Sequence, residues 1–157
     1  MTFDKKDFLG FLIESKKATY ASQGGDPSVT PLIDGSRQLE YRSGDFLYRD
    51  IYFGMSYFVG QETIYYKTHP VWSMSYGGGV DKKFDIKCVR EIYSFLRKAM
   101  REITSNNPYR GPKKFIEGDL VYTDTNEGDI GWFRGDEKII RSGEEVYSLS
   151  YSGGFLR

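Results

Sequence analysis

Apolar residues recur along this chain with two periods. Near the N-terminus, Phe8, Phe11, Leu12 and Ser15 fall at i, i+3, i+4 and i+7. That spacing predicts a helix from about Asp4 to Lys17 with one apolar stripe. Asp4 and Asp7 near its start and Lys16-Lys17 near its end suit the helix dipole. A second stripe, Val89, Ile92, Tyr93, Leu96, Ala99, Met100 and Ile103, predicts a helix from about Ile86 to Ile103. Asp85 is placed to cap it.

Elsewhere the period is two. Leu39 and Tyr41 lead to a Gly44-Asp45 turn, and Phe46 to Phe53 reads as a strand. Tyr57 to Tyr66 reads as two strands around a tight turn at Gly60-Gln61. From Val71 to Tyr76, alternation puts Trp72, Met74 and Tyr76 on one face and Ser73 and Ser75 on the other. Gly77-Gly78-Gly79 reads as the end of that strand. Thr19 to Arg37 has no period and carries Gly24-Gly25-Asp26-Pro27, Pro31 and Asp34-Gly35, so it reads as a long loop.

The strand region is written twice. Gly44-Asp45-Phe46-Leu47-Tyr48-Arg49-Asp50 returns as Gly118-Asp119-Leu120-Val121-Tyr122-Thr123-Asp124. Gly60-Gln61-Glu62 returns as Gly135-Asp136-Glu137, and Ser73-Met74-Ser75-Tyr76 as Ser148-Leu149-Ser150-Tyr151. The offset is 74 at the first block and 75 at the later two, so the second copy has one added residue. This predicts an α+β fold in which residues 1–157 form a single domain of two repeats, about 1–80 and 81–157. Each repeat is a helix followed by four or five antiparallel strands. A pseudo-two-fold would relate them, giving a curved sheet with two helices packed on it.

Charge adds a local asymmetry to this picture. The 22 Lys+Arg balance the 22 Asp+Glu, so nothing pulls the whole chain toward nucleic acid or an anionic membrane. Yet Lys82 to Lys114 holds ten basic and three acidic residues, while Phe115 to Arg157 holds four basic and nine acidic. The ordinary reading is a solvated basic helix face and an acidic sheet rim. The single cysteine, Cys88, fits a reducing compartment. No apolar stretch approaches the ~20 residues that span a bilayer. With no leader visible, a soluble cytoplasmic protein is expected, with no membrane partner.

The repeated acids Asp45/Asp119, Asp50/Asp124 and Glu62/Glu137 are the first place to look for chemistry. Tyr48 and Asp50 share a strand face, as do Tyr122 and Asp124. A fold needs its turns and strand ends twice and a reaction rarely needs its machinery twice, so these acids read as structural. Asp45 and Asp119 belong to turns, and Glu62 and Glu137 to positions just after hairpin turns. His69, the only histidine, has no partner for a triad or a zinc site. Cys88 reads as an inert thiol in the first turn of the second helix. Asn107-Pro108-Tyr109-Arg110-Gly111-Pro112 reads as a rigid loop with an exposed Arg and Tyr. Arg134-Gly135-Asp136 sits where the first copy has a hairpin turn. No catalytic set, metal site or cofactor motif is present.

Asn107 to Pro112, Gly60-x-Glu62 followed by Tyr65, and Pro70-Val71-Trp72-Ser73-Met74-Ser75-Tyr76 together resemble bacterial domain-of-unknown-function family 5680. The resemblance runs from about Phe8 to Gly154. Members of that family stand alone or follow a helix-turn-helix DNA-binding domain, and no catalytic residues are established for them. The resemblance implies an effector-sensing or interaction module rather than an enzyme.

The expectation is therefore a small-molecule binding module without catalysis. Its ligand would lie between the two repeats, among Tyr48, Trp72, Tyr76, Tyr122, Tyr147 and Tyr151, with Arg110 or Glu62 orienting a polar group. The alternative is an interaction module whose basic second helix and Lys113-Lys114 meet an acidic protein or nucleic acid. A hydrolase built on the repeated carboxylates ranks third.

Overall fold

The first apolar stripe folds as α1, Lys5–Ala18, in a computed structural model that describes residues 3–23 and 29–157. Asp4 caps it, its carboxylate accepting from the Lys6 and Asp7 amides. Phe8, Phe11, Leu12 and Ser15 are all buried. The second stripe folds as the helix Ile86–Arg101, capped by Asp85 through the Cys88 amide. Ile92 and Leu96 are fully buried on it. Between these helices, part of the long loop forms a short helix, α2, Tyr20–Gln23. A Gly- and Asp-punctuated segment gave no periodic sign of it. The Gly24-Gly25-Asp26-Pro27 part of that loop lies outside the described residues. The helix Ile86–Arg101 is therefore α3, and its Arg101 Nε donates to the Ala21 carbonyl at 2.8 Å, tying α2 to α3.

Among the described residues, eight strands form one open antiparallel sheet. They are β1 Arg37–Ser43, β2 Phe46–Gly54, β3 Tyr57–Tyr66, β4 His69–Val80, β5 Lys114–Glu117, β6 Leu120–Asp129, β7 Trp132–Arg141 and β8 Glu144–Phe155. Their order is β1-β2-β3-β4-β8-β7-β6-β5, so β4 and β8 meet at the centre and β1 and β5 are the edges. In the central pair Tyr76 lies opposite Tyr151. The fold is α+β, with the core between the helices and one sheet face. α1 lies over β1 and β2, and α3 reaches β6. Trp72 of β4 stacks on Phe133 of β7 at 5.7 Å, which joins the two ends of the core. Among the described residues, no helix is long and apolar enough to cross a membrane.

Alternation in β4 is as the sequence predicts: Trp72, Met74 and Tyr76 are buried, while Ser75 is exposed. Three local expectations are corrected. Gly60-Gln61 is not a turn, because β3 runs unbroken from Tyr57 to Tyr66 and Gly60 pairs with Tyr52 and Tyr76. Gly135-Asp136 likewise lies inside β7, so Arg134-Gly135-Asp136 is a strand segment and no loop tip. Gly77-Gly78-Gly79 does not end β4, whose ladder continues to Val80 opposite Tyr147. Glycine marks a strand end only where the ladder runs out, and here both neighbouring strands go on pairing.

Candidate functional site

The inner sheet face places four carboxylates in the core. Asp50 on β2 lies opposite Glu62 on β3, and Asp124 on β6 lies opposite Glu137 on β7. All four are buried. Glu62 and Glu137 are thus mid-strand core residues, contrary to the expectation that they follow hairpin turns. Burial of a carboxylate demands partners, and each has them. Tyr76 donates to Asp50 at 2.7 Å and Tyr151 to Asp124 at 2.7 Å. Tyr122 and Tyr147 donate to the two oxygens of Glu137 at 2.8 and 2.6 Å. Tyr48 is bonded to Glu62.

Each tyrosine that reaches an aspartate crosses the intervening strand over a glycine. Tyr76 on β4 pairs with Gly60 on β3, and its hydroxyl arrives at Asp50 on β2. A Cβ at residue 60 would fall 2.4 Å from that hydroxyl. Tyr151 passes over Gly135 to Asp124 in the same way, with a Cβ at residue 135 only 2.4 Å from its ring. The glycines in these strands are there to let a ring lie flat across the sheet.

Two cations complete the network. Lys16 on α1 is buried and ion-paired with Glu62. Arg110 donates to Glu137 at 2.9 and 3.2 Å and has Glu62 at 3.8 Å. It is 3% exposed, so the expectation of an exposed arginine is corrected. Tyr109 is buried as well. Asn107 anchors that loop by donating to Asp124 at 2.7 Å and to the Gly111 carbonyl at 2.6 Å. Burial opposes the Arg110 charge, but Glu137, Tyr147 and Glu62 outweigh it and hold its pKa above the ordinary value. Burial lowers that of Lys16, with Glu62 acting against it. Four carboxyls face only two cations, so full ionisation would leave excess negative charge in a low dielectric. Burial, reinforced by Glu62, accordingly pushes the Asp50 carboxyl up to about 7. Asp124 is raised too, chiefly by burial.

A cavity of about 250 Å³ opens next to this network, between α2, α3 and the sheet. Phe58 sits amid its rings, edge-on to Tyr52, Tyr76 and Tyr93 at 6.5, 5.9 and 5.9 Å. Tyr20 closes one side from α2. Tyr20 and Tyr76 each present a ring to Arg110, at 5.8 and 5.3 Å, so two walls of the cavity lean on the buried network. The mouth carries Arg37, Arg90 and Arg97. A larger hollow, about 880 Å³, lies on the opposite face of the sheet. It is an open surface, lined by Ser75, Ser150 and Ser152 among others, and its Ser150 is already bonded to Asp136. The less open, aromatic cavity is the better candidate site.

Of the residues expected to bind a ligand, Tyr76 lines this cavity. Tyr48, Arg110, Tyr122 and Tyr147 belong to the buried network, and Trp72 lies in the core with its indole donating to the Ile130 carbonyl at 3.0 Å. Sequence reasoning missed Lys16, Tyr20 and the arginines of α3. Lys16 stands four residues after Leu12, on the buried stripe, which was the available signal. Several other cations of the basic segment have partners. Lys98 pairs with Glu117 at 2.6 Å, Lys83 with Glu144 at 2.5 Å, and Lys113 bonds Asn126 at 2.8 Å. His69 opens β4, exposed, with Nδ1 3.0 Å from the Lys67 carbonyl. Cys88 lies in the first turn of α3 with Arg141 3.4 Å from its sulfur. Among the described residues, no group of His, Cys, Asp or Glu is arranged to hold a metal ion.

A family model described as Domain of unknown function (DUF5680) matches residues 50–156. That span takes in the four carboxylates, Arg110 and α3, and it begins after Lys16, Tyr20 and Arg37. Comparison with curated proteins and with solved structures found no match.

Proposed function

The chain belongs to the DUF5680 family, and from that premise we propose that it is a small-molecule binding module which holds its ligand without turning it over. The observation that carries this reading is the aromatic cavity set on a rigid polar network. Tyr52, Phe58, Tyr76 and Tyr93 give it apolar walls, and the Tyr93 and Tyr76 hydroxyls are fixed by Ser56 and Asp50. Walls held by second contacts are preorganised, which reduces the entropy lost on binding. The carboxylates are buried and already bonded to tyrosines and cations, which favours a structural role for them over hydrolysis. Each has its hydrogen bonds satisfied within the core.

The same reading takes the molecule as two helix-plus-four-strand units about a pseudo-two-fold between β4 and β8. A two-fold there requires equivalent residues to face one another, and Tyr76 and Tyr151, 75 apart, do so. The ladder shifts after Ile64 in one half and after Ile139 in the other, also 75 apart. Gly44 and Gly118 share a positive φ, as do Gly54 and Gly128, at an offset of 74. The added residue of the second unit then falls at the β6–β7 hairpin, between Gly128 and Trp132.

A thermal-shift screen of small aromatic compounds tests the proposal, because a ligand of the folded state raises apparent stability by mass action. Hits should lose their effect in Ile86→Trp, which fills the exposed mouth, and in Tyr93→Ala. Hits indifferent to both substitutions, or a screen without hits, would sink the reading.

A further inference from the structure

Three guanidinium groups line one cavity, and among the described residues no acid pairs with them. Arg90 and Arg97 are seven residues apart on α3 and so share a face, with Tyr93 between them. Arg37, on edge strand β1, pairs in register with Tyr52 of the cavity wall. The residues lining the cavity include no aspartate or glutamate, and none of the three arginines makes an ion pair among the described residues. The contrast is local. Arg101 on the same helix is held by the Ala21 carbonyl, Lys98 by Glu117, and Arg110 by Glu137.

Two hydroxyls on the cavity wall are engaged. Tyr76 donates to Asp50 and Tyr93 donates to the Ser56 carbonyl at 2.6 Å, so both offer a ring and no free hydroxyl. The charged groups of the lining, which a polar substituent of a ligand would meet, are the three guanidiniums. They suit an oxyanion, because their planar fork of donors matches a carboxylate or a phosphate.

We infer that the ligand, on the pocket reading given above, is an aromatic anion. Its ring lies among Phe58, Tyr76 and Tyr93, and a carboxylate or phosphate on that ring is met by Arg90 and Arg97, with Arg37 across the mouth. Like charges collected at one opening repel each other until an anion arrives. Binding should thus be strongest at low salt and weaken as salt screens the mouth.

The test is titration calorimetry of the full chain with naphthalene-2-carboxylate, 2-naphthyl phosphate and the uncharged naphthalene-2-carboxamide. At low ionic strength, at least one anion should bind about tenfold tighter than the amide, a ratio easily resolved. High salt should shrink that ratio, and Arg90→Gln with Arg97→Gln should bring the anion down to the amide's affinity. A tighter phosphate than carboxylate would identify the anion as a phosphate, and the reverse order a carboxylate. Equal binding of anions and amide would overturn the inference and leave the pocket standing. An anion preference untouched by the double substitution would also overturn it. If none of the three binds, both the inference and the pocket fail.

Discussion

Tyr76 lies across the bare Cα of Gly60: the two are partners in the β3–β4 ladder, and a methyl group at residue 60 would fall 2.4 Å from the tyrosine hydroxyl. Gly60→Ala should therefore displace the ring, break its bond to Asp50 and destabilise the fold. Overpacking alone costs typically ~1–3 kcal/mol, and a buried carboxylate left without its donor adds to it. Gly135→Ala should do the same through Tyr151 and Asp124. Urea midpoints report both, and a Gly60→Ala protein as stable as its parent would show that the ring has another resting place.

Asp50 gives the protein a pH dependence of known sign. Its carboxyl is raised from 3.8 to about 7, by burial first and Glu62 second. Between those values the folded chain holds a proton that the unfolded chain has released. Its contribution to stability is therefore greatest below about pH 4 and falls as pH rises toward about 7. Asp50→Asn mimics the protonated form. It should match the parent below about pH 4 and exceed it at pH 8, as read by denaturation at the two pH values. A variant less stable than the parent at pH 8 would contradict the assignment.

The buried ion pair of Arg110 and Glu137 should be costly to break from one side. Removing one partner of such a pair strands the other charge and costs roughly 3–5 kcal/mol. Arg110→Met should therefore lower the denaturation midpoint far more than Lys98→Met, whose partner Glu117 is half exposed. Equal effects of the two would mean that the core cluster is hydrated.

Leu96 is fully buried on α3. Leu96→Ala should cost roughly 2–5 kcal/mol by lost burial and a residual cavity. An unchanged midpoint would show that α3 does not pack through this stripe.

The helices were legible because their apolar residues obey a period, and their caps, Asp4 and Asp85, stand where the stripes begin. Strands were legible where faces alternate, as at Trp72, Met74 and Tyr76. Gly60 and Gly135 misled because glycine is read locally as a turn, whereas the cause of these glycines is a tyrosine 16 residues onward in each case. Asp50 shares a face with Tyr48, and that face turned out to be the inner one. Alternation carried this clue, but polarity argued against burial. Arg110 sits in a loop without periodicity, so nothing local marks it as buried. Lys16 was read as a dipole partner at a helix end, although its distance from Phe8 and Leu12 put it on the buried stripe. The cavity gathers α2, α3, β1 and the β2–β4 strands, and no stretch of sequence contains that meeting. Arg90 and Arg97 were visible only as part of a basic helix.

The central pairing of β4 with β8 also bears on how the chain acquires its shape. Every other neighbouring pair in the sheet is a hairpin closed by a short turn, and β4–β8 alone joins segments some 75 residues apart. Hairpins form from local contacts, while the seam must wait until the intervening chain has been gathered in, and long-range closure is what slows folding. The first four strands and the last four can thus assemble separately and meet late, with Trp72 finding Phe133 and Arg110 finding Glu62 only at that final encounter. Stopped-flow refolding would then slow most for substitutions along the seam, such as Ser75→Pro, and least for those in the outer hairpins.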